Sequence, residues 1–74
     1  MSDKKKIEIL REYFDLKKNV KINKKDKIGS VIEMDSLNTL KFITFIDEFG
    51  KKNAIKNIKK YKNFGNLLNS IKDL

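Results

Sequence analysis

Ser36, which stands between Asp35 and Leu37, is the side chain of this sequence best placed for covalent chemistry. A serine that attacks a substrate needs a general base within hydrogen-bond reach, and the chain contains no histidine. The residues around Ser36 also lack the Gly-x-Ser-x-Gly turn that follows a strand in many serine hydrolases. We therefore expect Ser36 to catalyse nothing, and we consider its hydroxyl as a point of attachment.

Other residue types that carry chemistry are missing or badly spaced. Asp47 and Glu48 are adjacent, so on a helix they point about 100° apart and do not form an acid/base pair. The chain has no cysteine, no constellation of metal-ligand spacing and no glycine-rich phosphate loop. We expect a protein that is not an enzyme and has no metal site.

A helix that begins at Ser36 gives this serine a distinctive setting. Asp35 is a good N-cap, the apolar run continues to Phe49, and Gly50 supplies a stop. The free amides and the dipole at a helix N-terminus favour an anionic substituent such as a phosphodiester, although Asp35 opposes it somewhat. The simpler alternative is that Asp35 or Ser36 serves only as the helix cap.

The faces of this second helix predict what surrounds it. Apolar side chains cover well beyond half of its circumference, so we expect other helices to enclose it; these side chains are Leu40, Phe42, Ile43, Phe45, Ile46 and Phe49. The remaining polar strip consists of Lys41, Thr44 and Glu48. Leu37 lies on that strip and is predicted to face solvent beside Ser36.

The segments before this helix are predicted to be one amphipathic helix and an ordered loop. The first helix should run from about Asp3 to Leu16 or Lys17, with Ser2 or Asp3 as its N-cap and Asn19 in a left-handed stop. A long loop follows over residues 20–34, with one helical turn near residues 28–32. Its isolated apolar anchors are Val20, Ile22, Ile28, Val31 and Ile32.

Two further helices complete the predicted fold. A short one of two turns is expected near residues 54–61, where apolar side chains recur at three-residue spacing. Asn63 should cap the last helix, with Asn66, Asn69 and Ser70 facing water. Its apolar stripe is predicted to contain Phe64, Leu67, Leu68, Ile71 and Leu74. The sequence thus predicts one all-α domain over residues 1–74, a small bundle of three main helices and a short third helix without strands.

Three features together resemble the acyl carrier protein family. They are the Asp-Ser-Leu triplet at residues 35–37 heading a long apolar helix, the Phe49-Gly50 stop, and the run from Phe64 to Ile71. The start of that last run is similar to the Val-Gly-Asp-Leu-Val-like opening of the family's last helix. Asp-Ser-Leu alone is a weak motif, but the resemblance covers nearly the whole chain, including the long loop and the order of helices.

The resemblance implies a carrier that catalyses nothing. Ser36 would carry 4′-phosphopantetheine, which a phosphopantetheinyl transferase takes from coenzyme A, and the thiol of that arm would hold an acyl or aminoacyl group as a thioester. An acyl- or aminoacyl-activating ligase and downstream transferases would be the other partners. Residues expected to help dock them are Asp35, Leu37, Lys41, Thr44 and Glu48.

The sequence departs from the family in three respects, the first being a second helix that is one residue short between Ser36 and Phe49. Glu33 stands three residues before the serine, where the family usually has glycine, and the net charge is +8 where the family is usually acidic. Because like charges suppress association, fatty-acid enzymes with basic docking patches should bind this chain poorly. We therefore expect a specialised carrier for a dedicated ligase or transferase.

The high positive charge leaves other functions open. A small basic helical protein could bind nucleic acid, but the lysines are spread along the chain and do not gather on one recognition helix. A carrier-like domain that has lost its modification and acts as a binding subunit is another alternative. No apolar run reaches membrane-spanning length and none follows the basic N-terminus, so we expect a cytoplasmic monomer without a secretory signal.

Overall fold

A computed structural model describes residues 2–73, and all of its regular elements are helices. They are α1 (Asp3–Tyr13), α2 (Ile28–Val31), α3 (Ser36–Phe49), a 3₁₀ helix (Ala54–Lys60) and α4 (Phe64–Ser70). Within residues 2–73 no strand forms, and only two isolated bridges join distant segments, Lys27 with Asn63 and Gly50 with Ile71. The predicted all-α fold is confirmed, with α2 as the helical turn expected in the long loop.

Helix α1 ends earlier than the sequence predicted. The Ser2 hydroxyl caps its start by accepting a hydrogen bond from the Lys5 amide at 3.3 Å. The end is at Tyr13, and the left-handed residue is Asp15 (φ 54°), so the predicted end at Leu16 or Lys17 and the stop at Asn19 were wrong. The Leu16 amide donates to the Arg11 carbonyl at 2.9 Å. This hydrogen bond is typical of a Schellman motif, in which the chain reverses direction at the end of a helix. This reversal turns Leu16 back against the core.

The loop between α1 and α3 is anchored by its apolar side chains. Ile22, Ile28 and Ile32 are buried, and Val31 is partly buried against the same core. Backbone hydrogen bonds also join this loop to the start of α4, since the Phe64 amide donates to the Asp26 carbonyl at 3.1 Å. The prediction of an ordered loop is confirmed.

The core lies between the inner face of α3 and the apolar sides of α1 and α4. Phe45 is fully buried at its centre, with ring centroids 5.2 Å from Tyr13 and 5.1 Å from Phe49. Helix α4 and the residue that follows it contribute side chains that are at most 1% exposed, Phe64, Leu67, Leu68 and Ile71. This single aromatic and aliphatic cluster fixes the orientation of α3 and therefore of Ser36 at its first turn.

The end of the chain follows the predicted pattern with one exception. Asn63 caps α4 by accepting from the Asn66 amide at 2.9 Å, and a left-handed Asn53 (φ 69°) precedes the 3₁₀ helix. Ser70, however, is buried and its hydroxyl donates to the Leu67 carbonyl at 2.6 Å, so the expectation that it faces water was wrong. Leu74, predicted as the last residue of the apolar stripe, lies outside the described residues.

Candidate functional site

Ser36 is the first residue of α3 and is exposed to solvent. The preceding Asp35 is the N-cap, and its carboxylate accepts a hydrogen bond from the Asn38 amide at 2.8 Å. Asp35 therefore takes the capping role that the sequence left open between it and Ser36. The Ser36 hydroxyl has no hydrogen-bond partner among residues 2–73.

The backbone that leads into α3 is held by side chains of the first helical turn. The Asn38 side-chain amide donates to the Glu33 carbonyl at 2.7 Å, and the Thr39 hydroxyl donates to the Met34 carbonyl at 3.4 Å. Asn38 is half-buried, and its side chain holds the backbone before the helix. These contacts fix the position of Ser36 relative to the helix axis.

The start of α3 offers partial positive charge close to this serine. The Asn38 amide is capped by Asp35, whereas the Ser36 and Leu37 amides have no acceptor within residues 2–73. Helix α3 has 14 residues, so its dipole adds to the positive potential at this end. The arrangement favours an anionic group next to Ser36 and leaves its hydroxyl accessible.

The predicted polar strip of α3 runs along the end of α1. Lys41 Nζ lies 3.5 Å from a carboxylate oxygen of Asp15, so this lysine is engaged within the chain. Burial raises the pKa of the Tyr13 phenol, the nearby Glu48 carboxylate raises that pKa further, and the Thr44 side chain acts in the opposite direction. Thr44 and Glu48 are exposed but border Tyr13.

Leu37 is exposed, as the sequence predicted. Two neighbouring side chains, Leu40 and Ile43, are also exposed, although the sequence predicted that other helices would enclose them. Leu37 is 62% exposed, Leu40 61% and Ile43 44%, so the expectation that helices enclose most of α3 was wrong. Residues 36, 40, 43 and 47 share one line along an α-helix. We call Ser36, Leu37, Leu40 and Ile43 the outer face of α3.

A signal for this outer face was present in the sequence. Phe42, Phe45 and Phe49 recur at a spacing of three and four residues and so define one side of α3 as the core side. The line through Ser36, Leu40 and Ile43 is opposite to these three aromatic residues. Weighting the aromatic positions above the aliphatic ones would have placed Leu40 and Ile43 outside.

Comparison with family models, with curated proteins and with solved structures finds no match to this chain. Among the described residues, no cluster of three or more histidine, cysteine, aspartate or glutamate side chains could hold a metal ion. None of the helices formed by residues 2–73 is both long and apolar enough to cross a membrane. The function must therefore be inferred from the residues of the site themselves.

Proposed function

We propose that this protein is an acyl carrier that holds an acyl or aminoacyl group as a thioester on a 4′-phosphopantetheine arm attached to Ser36. The observation that carries the proposal is the exposed Ser36 hydroxyl, which has no hydrogen-bond partner among residues 2–73, at the first residue of the capped helix α3. The Asp-Ser-Leu triplet and the helix order of the acyl carrier resemblance support the same assignment.

The surroundings of Ser36 fit a phosphodiester. Attachment would form a bond between the Ser36 oxygen and a phosphorus of coenzyme A, break the pyrophosphate bond and release adenosine bisphosphate, with the hydroxyl proton taken by the transferase. The unpartnered Ser36 and Leu37 amides and the helix dipole stabilise the negative charge of the product. The Asp35 carboxylate opposes that charge, but its hydrogen bond to the Asn38 amide fixes it as the cap.

The chemistry of such a carrier belongs to the arm and to the partner enzymes. The thiol of the arm supplies the thioester, and the protein keeps the intermediate attached and at a high effective concentration near each partner. A phosphopantetheinyl transferase, an activating ligase and downstream transferases are the partners this function requires. No residue of the chain needs to act as an acid, base or nucleophile towards the cargo.

The outer face of α3 is the surface we assign to docking. Leu37, Leu40 and Ile43 provide exposed apolar area directly beside the attachment point. Aliphatic side chains that a partner buries can supply much of the free energy of binding, with polar neighbours at the rim setting the orientation. Asp35, Lys41, Thr44 and Glu48 lie at that rim, with Lys41 held by Asp15.

Nucleic-acid binding, the second candidate, has weaker support. It would be favoured by the net charge of +8. However, α3 is the longest helix in the described part of the chain, and it presents leucine and isoleucine side chains to solvent rather than lysine or arginine. A recognition helix that enters a groove needs basic and polar side chains on that face.

The test is to incubate the purified protein with coenzyme A and a permissive phosphopantetheinyl transferase and to measure the intact mass. We expect one added phosphopantetheine for the natural sequence and none for Ser36→Ala. Ser30→Ala is the matched control, because Ser30 is also an exposed serine at a helix, but its hydroxyl donates to the Lys27 carbonyl at 2.6 Å. No added mass, or an addition that survives Ser36→Ala, would contradict the proposal.

A protein that fails this assay but copurifies with a partner enzyme would instead be a carrier-like binding subunit. That outcome would be recognised by loss of the partner on changing Leu40 or Ile43 to asparagine. It would remove the phosphopantetheine arm from the proposal while keeping the outer face as the docking surface.

A further inference from the structure

The segment from residue 51 to residue 62, which contains the 3₁₀ helix, is strongly basic. It has six lysines and no acidic residue, and we call it the basic segment. These lysines are Lys51, Lys52, Lys56, Lys59, Lys60 and Lys62, and all of them are exposed. The 3₁₀ helix is kinked at Asn57 (φ −104°, ψ 15°), so Lys56 lies before the kink and Lys59 after it.

The lysines of the basic segment differ from those that have structural contacts. Lys6, Lys24 and Lys41 each form an ion pair with a carboxylate. None of the six basic-segment lysines has such a pair within residues 2–73. Their charge is therefore not neutralised by the rest of the described chain.

A second group of lysines continues the same surface. The Ile28 amide donates to the Lys62 carbonyl at 3.1 Å, and Lys27 pairs with Asn63 in an isolated bridge, so the two segments are adjacent. Lys25 and Lys27 are exposed there. The one acid between them, Asp26, is half-buried and accepts a hydrogen bond from the Asn23 amide at 3.4 Å.

The chemistry of the basic segment indicates what kind of anionic surface it fits. All of its cations are lysines, whose flexible ammonium groups suit a diffuse field of charge, whereas arginine is the residue that recognises phosphates in a fixed bidentate geometry. Its single aromatic residue is Tyr61, which is half-buried and donates its hydroxyl to the Ala54 carbonyl at 2.9 Å. Tyr61 is thus a poor platform for stacking nucleic-acid bases.

An apolar side chain accompanies these lysines. Ile55 is 38% exposed on the 3₁₀ helix, next to Lys56 in the sequence. Clusters of lysine beside an exposed aliphatic residue are suited to the interface of a membrane, where the ammonium groups contact anionic headgroups and the apolar group enters the acyl boundary. A specific acidic protein would instead favour lysines oriented by neighbouring carboxylates, and the basic-segment lysines have no ion pair within residues 2–73.

We propose that the basic segment, together with Lys25 and Lys27, binds peripherally to anionic phospholipid bilayers. The surface needs neither Ser36 nor its modification, so the inference goes beyond the proposed carrier function and can fail or hold independently of it. A carrier that adsorbs to a membrane would present its cargo to enzymes at that membrane.

The test is sedimentation of the unmodified full chain with vesicles of phosphatidylglycerol mixed into phosphatidylcholine, compared with vesicles of phosphatidylcholine alone. We expect binding only to the anionic vesicles, weakening as salt is raised. A variant with Lys56, Lys59, Lys60 and Lys62 changed to glutamine should bind about tenfold more weakly or worse. Ile55→Ser should weaken binding about threefold to tenfold at constant charge.

The matched control has Lys4, Lys5, Lys17 and Lys18 changed to glutamine, four exposed lysines outside the basic segment. Both variants lower the net charge of +8 by the same four units, so a local surface predicts that the control keeps most of its binding. Circular dichroism checks that both variants are folded. Equal loss in the two variants would show an effect of total charge and overturn the proposal.

Two further outcomes would also overturn it. One is the absence of binding to anionic vesicles at low salt. The other is displacement of the protein from vesicles by duplex DNA at an equal phosphate concentration, which would identify the segment as a nucleic-acid surface.

Discussion

The two faces of α3 carry similar side chains but have opposite surroundings. On the inner face, Phe45 and Ile46 are at most 1% exposed, whereas Leu40 on the outer face is 61% exposed. Hydrophobicity therefore does not by itself decide which face holds the fold, because the neighbouring helices determine which side chains lose contact with water. The inner face stabilises the fold, and the outer face is the one we propose for partner binding.

The largest expected effect is on the inner face. Phe45→Ala should lower the free energy of unfolding by about 3–5 kcal/mol, because it leaves a cavity among the rings of Tyr13, Phe14 and Phe49. A loss of this size approaches the whole stability expected of so small a domain. Urea unfolding followed by circular dichroism measures it, with Leu40→Ala expected to change the stability by at most about 0.5 kcal/mol. Equal losses for the two variants would contradict the division between faces.

Two glycines provide a second comparison, Gly50 at the end of α3 and Gly29 within α2. A Cβ at Gly50 would overlap the Ile46 carbonyl oxygen and lie 2.7 Å from the Ala54 Cβ, so Gly50→Ala should cost about 1–3 kcal/mol. Gly29, within α2, has no atom within 4 Å of the corresponding position. Gly29→Ala should instead stabilise the protein by about 0.5–1 kcal/mol. Thermal unfolding of both variants checks the opposite signs.

The cap of α3 should have an intermediate effect. Asp35→Ala removes the acceptor of the Asn38 amide and should lower the stability by about 0.5–2 kcal/mol, while Asp35→Asn should retain most of it. Ser36→Ala should change the stability by less than about 0.5 kcal/mol, since its hydroxyl has no partner within residues 2–73. Urea unfolding of the three variants separates capping by Asp35 from attachment at Ser36. A larger loss for Ser36→Ala than for Asp35→Ala would reverse the two roles.

The smallest expected effect concerns an exposed ion pair. The hydrogen bond and charge of Lys24 lower the pKa of the Asp3 carboxyl below its ordinary value of 3.8. A lowered pKa in the folded protein means that the stabilisation is present above the ordinary pKa and is lost as the pH falls below it. Asp3→Asn and Lys24→Gln should each flatten the decline of stability below about pH 4 in acid titrations. An unchanged pH dependence in both variants would contradict the contribution of this pair.

Helix caps and other signals within a few residues of sequence correctly predicted where α3 begins and ends and where α4 begins. Asp35 and Gly50 bound α3, Asn63 caps α4, and Leu37 is exposed, all as the sequence indicated. Caps act through the backbone of their own turn, so they can be predicted without knowing the rest of the fold. Gly50 ends α3 at the predicted position, but its φ of −75° is not the left-handed conformation of a glycine stop.

Features set by tertiary contacts could not be predicted in this way. The reversal at Asp15 ends α1 because Leu16 packs against the core. Lys6 is buried and donates to the Leu68 carbonyl at 3.3 Å, although a lysine in a first helical turn would be expected in solvent. Leu40 and Ile43 are an intermediate case, because the spacing of the phenylalanines in α3 indicates the buried face although the total apolar content of the helix does not.

The most direct test of the central claim is to locate the added group within the modified protein. After reaction with coenzyme A and the transferase, tandem mass spectrometry of the peptide that contains residues 30–41 should place phosphopantetheine on Ser36. Ser30, Thr39 and all other hydroxyl residues should remain unmodified. Modification at another residue, or none at all, would contradict the assignment of Ser36 as the attachment point.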